Sequence, residues 1–396
     1  MRIIVQKFGG TSVASAEGRE RALTKIIKAK EEGFSVVVVV SAMGRNGDPY
    51  ATDTLINLVK TIDVSVNSRE MDLLISCGEI ISTVMMAQTL EKAGHPAVAL
   101  SGGQAGILTD QNFGEAQIIG VDPKNILRRL GEGNIVIVAG FQGMTADGDI
   151  TTLGRGGSDT TAATLGSALE AEVVEIYTDV DGVMTVDPRI VPEAKILRNL
   201  TYQEVCEMAN NGAKVVHPRA VAIARDKKVP VKVKSTFTED SGTLICDGQS
   251  DRVITGIAFQ AGIGRVLVKA KNGHLGPEDS VKIFKVLAGA GISVDMNSIS
   301  PGQISFVVKQ EALGKVGDLL LPEGYEVELL PHCAKIALIG VGMQDVLGIM
   351  ARVVETLHKH NIKLFQTVDS EITISCLVLE DQMNQAIKVL YNEFGL

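Results

Sequence analysis

The chain has 396 residues, 45% of them apolar and 4% aromatic, and its 38 Lys+Arg against 47 Asp+Glu leave a formal charge of -9. That length exceeds one typical core and predicts two or three domains, and the apolar fraction excludes general disorder. Net acidity without a basic stretch argues against nucleic acid as the main partner. The longest pure apolar run, Val36 to Val40, falls far short of the ~18 residues of a spanning helix, so no membrane partner is expected.

The N-terminal MRIIVQKF enters a strand-like run with no h-region or cleavage site, so no signal peptide is expected. Ile3–Val5 precedes a helical pattern near 16–32, with Gly33 where a residue past a helix end is often glycine. Val36–Val40, a helix near 52–60 and a longer one from Glu79 to Ala93 follow. Ala97–Leu100, Ile135–Ala139, Val174–Tyr177 and Val231–Val233 read as further buried strands. Strands alternating with helices predict βαβ units and a mainly parallel sheet, and runs such as VVVVV suit strands covered on both faces. The cysteines, Cys77, Cys206, Cys246, Cys333 and Cys376, are scattered and form no CxxC, so neither a disulfide framework nor a zinc site is expected, and a reducing cytoplasm fits.

Past Gly248 the texture changes to an internal repeat. Ile304-Ser-Phe-Val-Val308 matches Ile374-Ser-Cys-Leu-Val378, and the same offset pairs Leu287 with Leu357, Ile292 with Ile362, Val294 with Leu364 and Leu313 with Met383. The register holds without a gap from Val266/Ile336 to Leu320/Leu390, and each copy reads strand, helix, strand, strand, helix. The expected organisation is one large α/β domain, 1–248, then two small α+β modules, 249–333 and 334–396. The second copy lacks a last strand, and the unpaired run 253–259 is predicted to cross over and complete its sheet.

Chemistry concentrates at glycine-rich turns. Gln6-Lys7-Phe8-Gly9-Gly10-Thr11-Ser12 follows the first strand, where backbone N–H groups and a lysine together suit an anion, although a tight turn with a surface lysine reads equally well. Gly154-Arg155-Gly156-Gly157-Ser158-Asp159 precedes a helix and offers backbone donors, a guanidinium and an acid. Ser41-Ala42-Met43-Gly44 ends the second strand, so all three loops are expected to face one crevice at the carboxyl ends of the strands. Thr178-Asp179-Val180-Asp181 reads either as a ribose or metal site or as a solvated turn. Glu79 reads as an acid at a helix N-terminus, Lys214 precedes a strand-like pair of valines, and His217 reads as a turn residue before Pro218. Two lysines, an arginine and glycine loops point to phosphoryl transfer, which runs on positioning and charge stabilisation.

KFGGTS at 7–12, SAMG at 41–44, SCGE at 76–79, TTLGRGGSD at 151–159, YTDVDGV at 177–183, DPR at 187–189 and NGAKVVHP at 211–218 together resemble aspartokinase, a member of the amino-acid kinase fold with paired C-terminal ACT modules of ferredoxin-like type. SCGE stands where SHGE is commoner, and GDPYATD at 47–53 resembles the diaminopimelate-sensitive subgroup. The resemblance implies ATP-dependent phosphorylation of the β-carboxylate of L-aspartate, with Mg²⁺ accompanying the nucleotide. It implies that Lys7, Phe8 and the Gly9 and Gly10 amides hold the transferring phosphate, with Lys214 approaching from the other side and Asp159 orienting the lysines. Thr178, Asp179, Met184 and Arg189 are implied nucleotide contacts, Met184 standing where many relatives carry Tyr. Arg155, with Gly156, Gly157 and Ser158, is implied to grip the α-carboxylate of aspartate. Glu79 is implied to accept from its α-ammonium, and Ser41, Thr52 and Phe141 to line the pocket.

The resemblance further implies feedback by lysine, diaminopimelate or threonine at the ACT modules, and a homodimer or larger assembly. Asp295, Met296 and Asn297 follow the strand-like run Ile292–Val294, where polar groups suit an amino-acid effector at a module interface, although Asp295 and Asn297 read equally well as turn residues. No metal ligand from the protein is assigned. A kinase for acetylglutamate or carbamate would share the glycine loops but not SCGE, GRGGSD and two modules together. A silent amino-acid sensor would not keep both lysines and Asp159. A fused homoserine dehydrogenase is not expected, as the sequence ends at Leu396.

Overall fold

The computed structural model describes residues 1–62, 65–213, 215–248, 252–270, 275–343 and 346–396. They form two compact units, 1–183 with 196–206 and 214–249, and 184–195 with 207–213 and 250–396.

The first unit runs β1 (Ile3–Phe8), α1 (Gly10–Ala14), α2 (Ala16–Glu31), β2 (Ser35–Val40), α3 (Thr52–Lys60), α4 (Ser68–Lys92), β3 (Ala97–Leu100), β4 (Ile107–Thr109) and β5 (Ile118–Val121). It continues through α5 (Lys124–Gly131), β6 (Ile135–Ala139), β7 (Gln142–Met144), β8 (Ile150–Thr152), α6 (Gly157–Ala168) and β9 (Val173–Thr178). After β10 (Asn199–Thr201), α7 (Tyr202–Asn210) starts in this unit, and α8 (Pro218–Asp226), β11 (Val231–Ser235) and β12 (Thr243–Cys246) complete it.

Eight strands form one sheet, ordered β10-β12-β11-β9-β1-β2-β6-β3, parallel except where β11 meets β12. The valines of β2 are buried throughout, as expected of a central strand with helices on both faces. Gly33, at φ +86°, ends α2 in the left-handed conformation that glycine adopts without steric cost. A second sheet, β5-β4-β7-β8, flanks the cleft side and is not evident in the sequence pattern, because its strands are only three or four residues long.

One element differs plainly from expectation. The long helix starts at Ser68, capped by Asn67 Oδ1 accepting from Arg69 N, so Glu79 lies in mid-helix and not at an N-terminus. Gly78 interrupts the apolar pattern and hides the continuity. Its glycine has a packing reason, since a Cβ there would sit 2.9 Å from Ala42 Cβ and from the Tyr50 carbonyl. By length and composition this helix could cross a bilayer, but half of its apolar window is buried inside the unit.

The second unit contains β13 (Gly256–Ala270), α9 (Pro277–Gly289), β14 (Asp295–Ser300), β15 (Gln303–Lys309), α10 (Leu313–Leu320), β16 (Tyr325–Ile339), α11 (Ile349–Lys359), β17 (Gln366–Asp369), β18 (Thr373–Leu379) and α12 (Met383–Phe394). The repeat is visible in the packing: Val266/Ile336, Leu287/Leu357, Ile304/Ile374 and Leu320/Leu390 are all buried. Strands β13 and β16 are 15 residues each and run through both copies of one six-stranded sheet, β14-β15-β13-β16-β18-β17. Gly256–Gln260 pairs antiparallel with Lys335–Ile339, and Arg265–Ala270 pairs with Tyr325–Leu330. Each copy thus closes its sheet with a strand segment reached from the other side of a bulge at Gln260/Ile263.

Two segments of the expected 1–248 domain belong to this unit. Val186 and Val191 pack in its core, and Thr185 accepts from Ile257 N at 2.7 Å. Gly212, at φ +114°, lies so close to Phe259 that a Cβ would meet its carbonyl at 2.0 Å.

Candidate active site

Alternation along β1 sends Phe8 and Lys7 to opposite faces of the sheet. Phe8 stacks on Tyr177 in the core, ring centroids 4.7 Å apart, so it can offer a ligand only its main chain. The Gly9 amide donates to the Tyr177 carbonyl at 3.3 Å and is therefore engaged, in contrast to the free phosphate donor expected of it. Gly10 carries the close approach: a Cβ there would lie 2.6 Å from the Ala42 carbonyl, and its own carbonyl accepts from Gly44 N at 3.1 Å. The turns after β1 and β2 are thereby clasped together at the carboxyl ends of their strands.

Lys7 points across to the first turn of α6, where its Nζ lies 2.7 Å from Asp159 Oδ1, both side chains being about one-eighth exposed (12% and 13%). The loop bearing Asp159 turns on two glycines in the left-handed region. Gly154 and Gly156 sit at φ +70° and +71°, and a Cβ on Gly156 would stand 2.2 Å from His217 Cγ. His217 does more than the turn before Pro218 requires. It does cap α8 through Nδ1, which accepts from Arg219 N, but its backbone N–H also donates to Asp159 Oδ2 at 3.3 Å, and Arg219 Nη1 donates to the Leu153 carbonyl. The His217–Arg219 segment is thus the backing of the glycine loop.

Asp72, another residue that sequence reasoning passed over, is buried on α4 and accepts from Thr152 N, Thr152 Oγ1 and Gly114 N at 2.7–2.9 Å. No spacing rule marks it, because its partners are 42 and 80 residues away. Phe141 holds φ +68°, uncommon for a bulky residue, with its N–H donating to Thr161 Oγ1. Strain of this kind concentrates at functional sites.

These loops enclose a cavity of about 730 Å³ lined by Lys7, Gly10, Ser41, Thr52, Glu79 and Phe141 together with Arg155, Gly156, Gly157, Ser158 and Asp159. The three glycine-bearing loops therefore do face one crevice. Glu79 is 2% exposed; its Oε1 accepts from Ala42 N at 3.1 Å, and its Oε2 has no partner. Burial raises its carboxyl to about 8, so in the empty cavity it is mainly protonated at neutral pH. Arg155 is exposed at the rim with its guanidinium unpaired among the described residues.

Thr178 and Asp179 end β9 outside the lining; Thr178 Oγ1 donates to Asp179, whose other oxygen pairs with Arg45 at 2.8 Å. Met184 and Arg189 fall within the second unit, where Arg189 forks onto Asp187. Lys214 lies outside the described residues. In the second unit Asp295, Met296 and Asn297 lie within β14 and not beyond a preceding strand. Asp295 pairs with Lys335, and Met296 is buried at φ +49° with its carbonyl accepting from Gln366.

A mainly parallel sheet with glycine turns at one crevice, carrying a lysine–aspartate pair, is the architecture of an amino acid kinase, and the sequence profile of the amino acid kinase family matches residues 2–235. That of the ACT domain matches residues 336–394. Aspartokinase 1 of Bacillus subtilis (strain 168) is 45% identical, with the alignment covering 100% of both chains. The crystal structure of E. coli aspartokinase III in complex with aspartate and ADP (R-state) has a TM-score of 0.78 at 26% identity over 100% of both chains. The same enzyme in complex with lysine and aspartate (T-state) gives 0.77 at 27% identity over 99% of both. The chain belongs to the aspartokinase family. Its activity is the phosphorylation of aspartate under allosteric feedback control, with ATP as the phosphoryl donor of a kinase.

Proposed function

We propose that the cavity of the first unit transfers the γ-phosphoryl group of ATP to the β-carboxylate of L-aspartate, giving 4-phospho-L-aspartate and ADP. A β-carboxylate oxygen attacks the γ-phosphorus as the bond to the β-phosphate oxygen breaks. The carboxylate is ionised at pH 7, so no base is required, and catalysis rests on charge stabilisation. Lys7, held by Asp159, meets the transferring phosphoryl group, the Gly10 turn and the Phe8 main chain approach the phosphates, and Lys214 adds a second cation. Arg155 takes the α-carboxylate with the amides of Gly156, Gly157 and Ser158. Thr178, Asp179, Met184 and Arg189 are assigned to the nucleotide.

The observation that carries this reading is Glu79: a buried carboxyl with one oxygen unpartnered at the cavity wall suits a substrate ammonium. An N-acylated amino acid has no ammonium to offer. Coupled measurement of ADP release should therefore show turnover with L-aspartate and none with N-acetyl-L-glutamate; the reverse preference would overturn the assignment.

Mg²⁺ neutralises phosphate charge when it accompanies ATP. No protein ligand to the ion is assigned. Residues 1–248 are assigned to catalysis, 249–333 and 334–396 to ACT modules that bind lysine, diaminopimelate or threonine. The lysine-bound relative supports effector binding as a class. A homodimer or larger assembly and a cytoplasmic setting complete the reading, which places the enzyme in lysine and diaminopimelate synthesis.

A further inference from the structure

In the large sheet β1 lies between β9 and β2, so the turns that follow those two strands flank the Gly9-Gly10 turn on either side. An ion pair joins the two flanks. Arg45, from the turn after β2, places Nη2 2.8 Å from Oδ2 of Asp179, the residue that follows β9. Two strand spacings, about 10 Å, separate β9 from β2, so the long arginine side chain crosses the end of β1 to make this contact. Its backbone is fixed for the reach. Gly44 N donates to the Gly10 carbonyl at 3.1 Å, and Arg45 N donates to Asp48 Oδ2 at 2.7 Å. Gly44 holds φ +88° where a Cβ would fall 2.3 Å from that same carboxylate oxygen. The Arg45 side chain is 73% exposed, and an exposed ion pair contributes little to stability, so the fold does not account for the arginine.

Charge balance points the same way. The described lining of the cavity holds five carboxyl groups against three cations, Lys7, Lys60 and Arg155. Of these cations only Lys7 extends from β1, and Asp159 already matches its charge. A polyphosphate arriving at the β1 turn brings several negative charges that this pair alone does not offset. We infer that Arg45 is a further ATP-binding residue, whose guanidinium, held across the β1 turn by Asp179, donates to the β- and γ-phosphate oxygens. Of its five N–H donors one on Nη2 serves Asp179, and Nε and Nη1 have no partner among the described residues. The planar fork can therefore take phosphate oxygens without leaving Asp179. The inference rests on the reading of the Lys7 and Gly10 turn as the phosphate site. It gives Asp179 a second part, that of holding the guanidinium in place before the nucleotide arrives.

The test is calorimetric binding of ATP, ADP and AMP, each with Mg²⁺, to the full chain of wild type and Arg45→Ala, with KM for ATP and for aspartate alongside. Loss of a charge-assisted contact should weaken ATP and ADP about tenfold or more. AMP has no β- or γ-phosphate and should bind within about twofold of wild type, and KM for aspartate should stay within the same range. Arg45→Lys keeps the charge without the fork and should recover part of the lost ATP affinity. Equal ATP binding by wild type and Arg45→Ala would overturn the inference. Weakening of ATP, ADP and AMP by one common factor would also overturn it, since Arg45 would then act only as a support for Asp179 and the nucleoside. No ATP binding by wild type would instead remove the reading of the β1 turn as the phosphate site, and this inference with it.

Discussion

Lys7 Nζ stands 2.7 Å from Asp159 Oδ1, joining the end of the first strand to the first turn of α6. Both side chains are largely buried, so the cation is already aimed before any phosphate arrives. Such preorganisation is where electrostatic catalysis gains most, because no reorientation is required during transfer.

Lys7→Ala should lower kcat about 100- to 1,000-fold, the size of one lost preorganised donor, and lower the melting temperature as well, because it leaves the largely buried Asp159 without its cation. Steady-state kinetics alongside thermal melting reads both. Near-normal kcat in a folded variant would remove Lys7 from the mechanism.

Arg155→Ala should raise KM for aspartate at least tenfold and leave KM for ATP within about twofold, because a charge-assisted pair to the α-carboxylate is lost. Arg155 buries little and has no partner within the described chain, so stability should not change. A selective rise in KM for ATP would move Arg155 to the nucleotide side.

Gly156→Ala should disable the loop through His217. The new Cβ would fall 2.2 Å from His217 Cγ at a φ of +71°, so the Asp159 turn must shift. A loss of about 1–3 kcal/mol in stability is expected from the strained backbone, together with a fall in kcat. Wild-type melting and turnover would show that the loop can relax.

Much of the site was legible because phosphate chemistry requires glycine at positions where backbone must approach backbone. Gly10 against the Ala42 carbonyl is such a position, and Gly156, which lies against the His217 side chain, is another place where a Cβ has no room; both sit inside the motifs that stood out. The repeat was equally legible, since each copy buries the same side chains, as with Leu287 and Leu357. What stayed hidden depends on distant partners. Asp72 has no local signature for its hold on Thr152, and His217 looks like any residue before a proline until the Asp159 loop folds onto it. Glu79 was singled out for the wrong local reason: Gly78 reads as a helix boundary, but it is the point where α4 lets Ala42 and Tyr50 come close.

Glu79 also sets a pH dependence of stability. Its carboxyl is raised by burial from the ordinary value near 4.5 to about 8 in the folded chain. Between those values the unfolded chain has lost the proton that the folded chain keeps. The contribution of Glu79 to stability is therefore full below about pH 4.5, falls by on the order of 1.4 kcal/mol per pH unit, and levels off above about pH 8. Glu79→Gln should flatten that slope and melt higher than wild type at pH 8. Chemical denaturation from pH 5 to 8 measures it, and parallel curves for the two proteins would contradict the assignment.

The most direct test is the proton balance of aspartate binding. An ammonium arriving at the unpartnered Oε2 favours the ionised carboxylate, so Glu79 must release its proton. Calorimetric titration of L-aspartate at pH 7, with a non-hydrolysable ATP analogue present and in buffers of different ionisation enthalpy, should give a net release of protons on aspartate binding. The Glu79→Gln variant should release none and bind aspartate far more weakly. Tight aspartate binding by wild type with no proton released would contradict Glu79 as the ammonium acceptor.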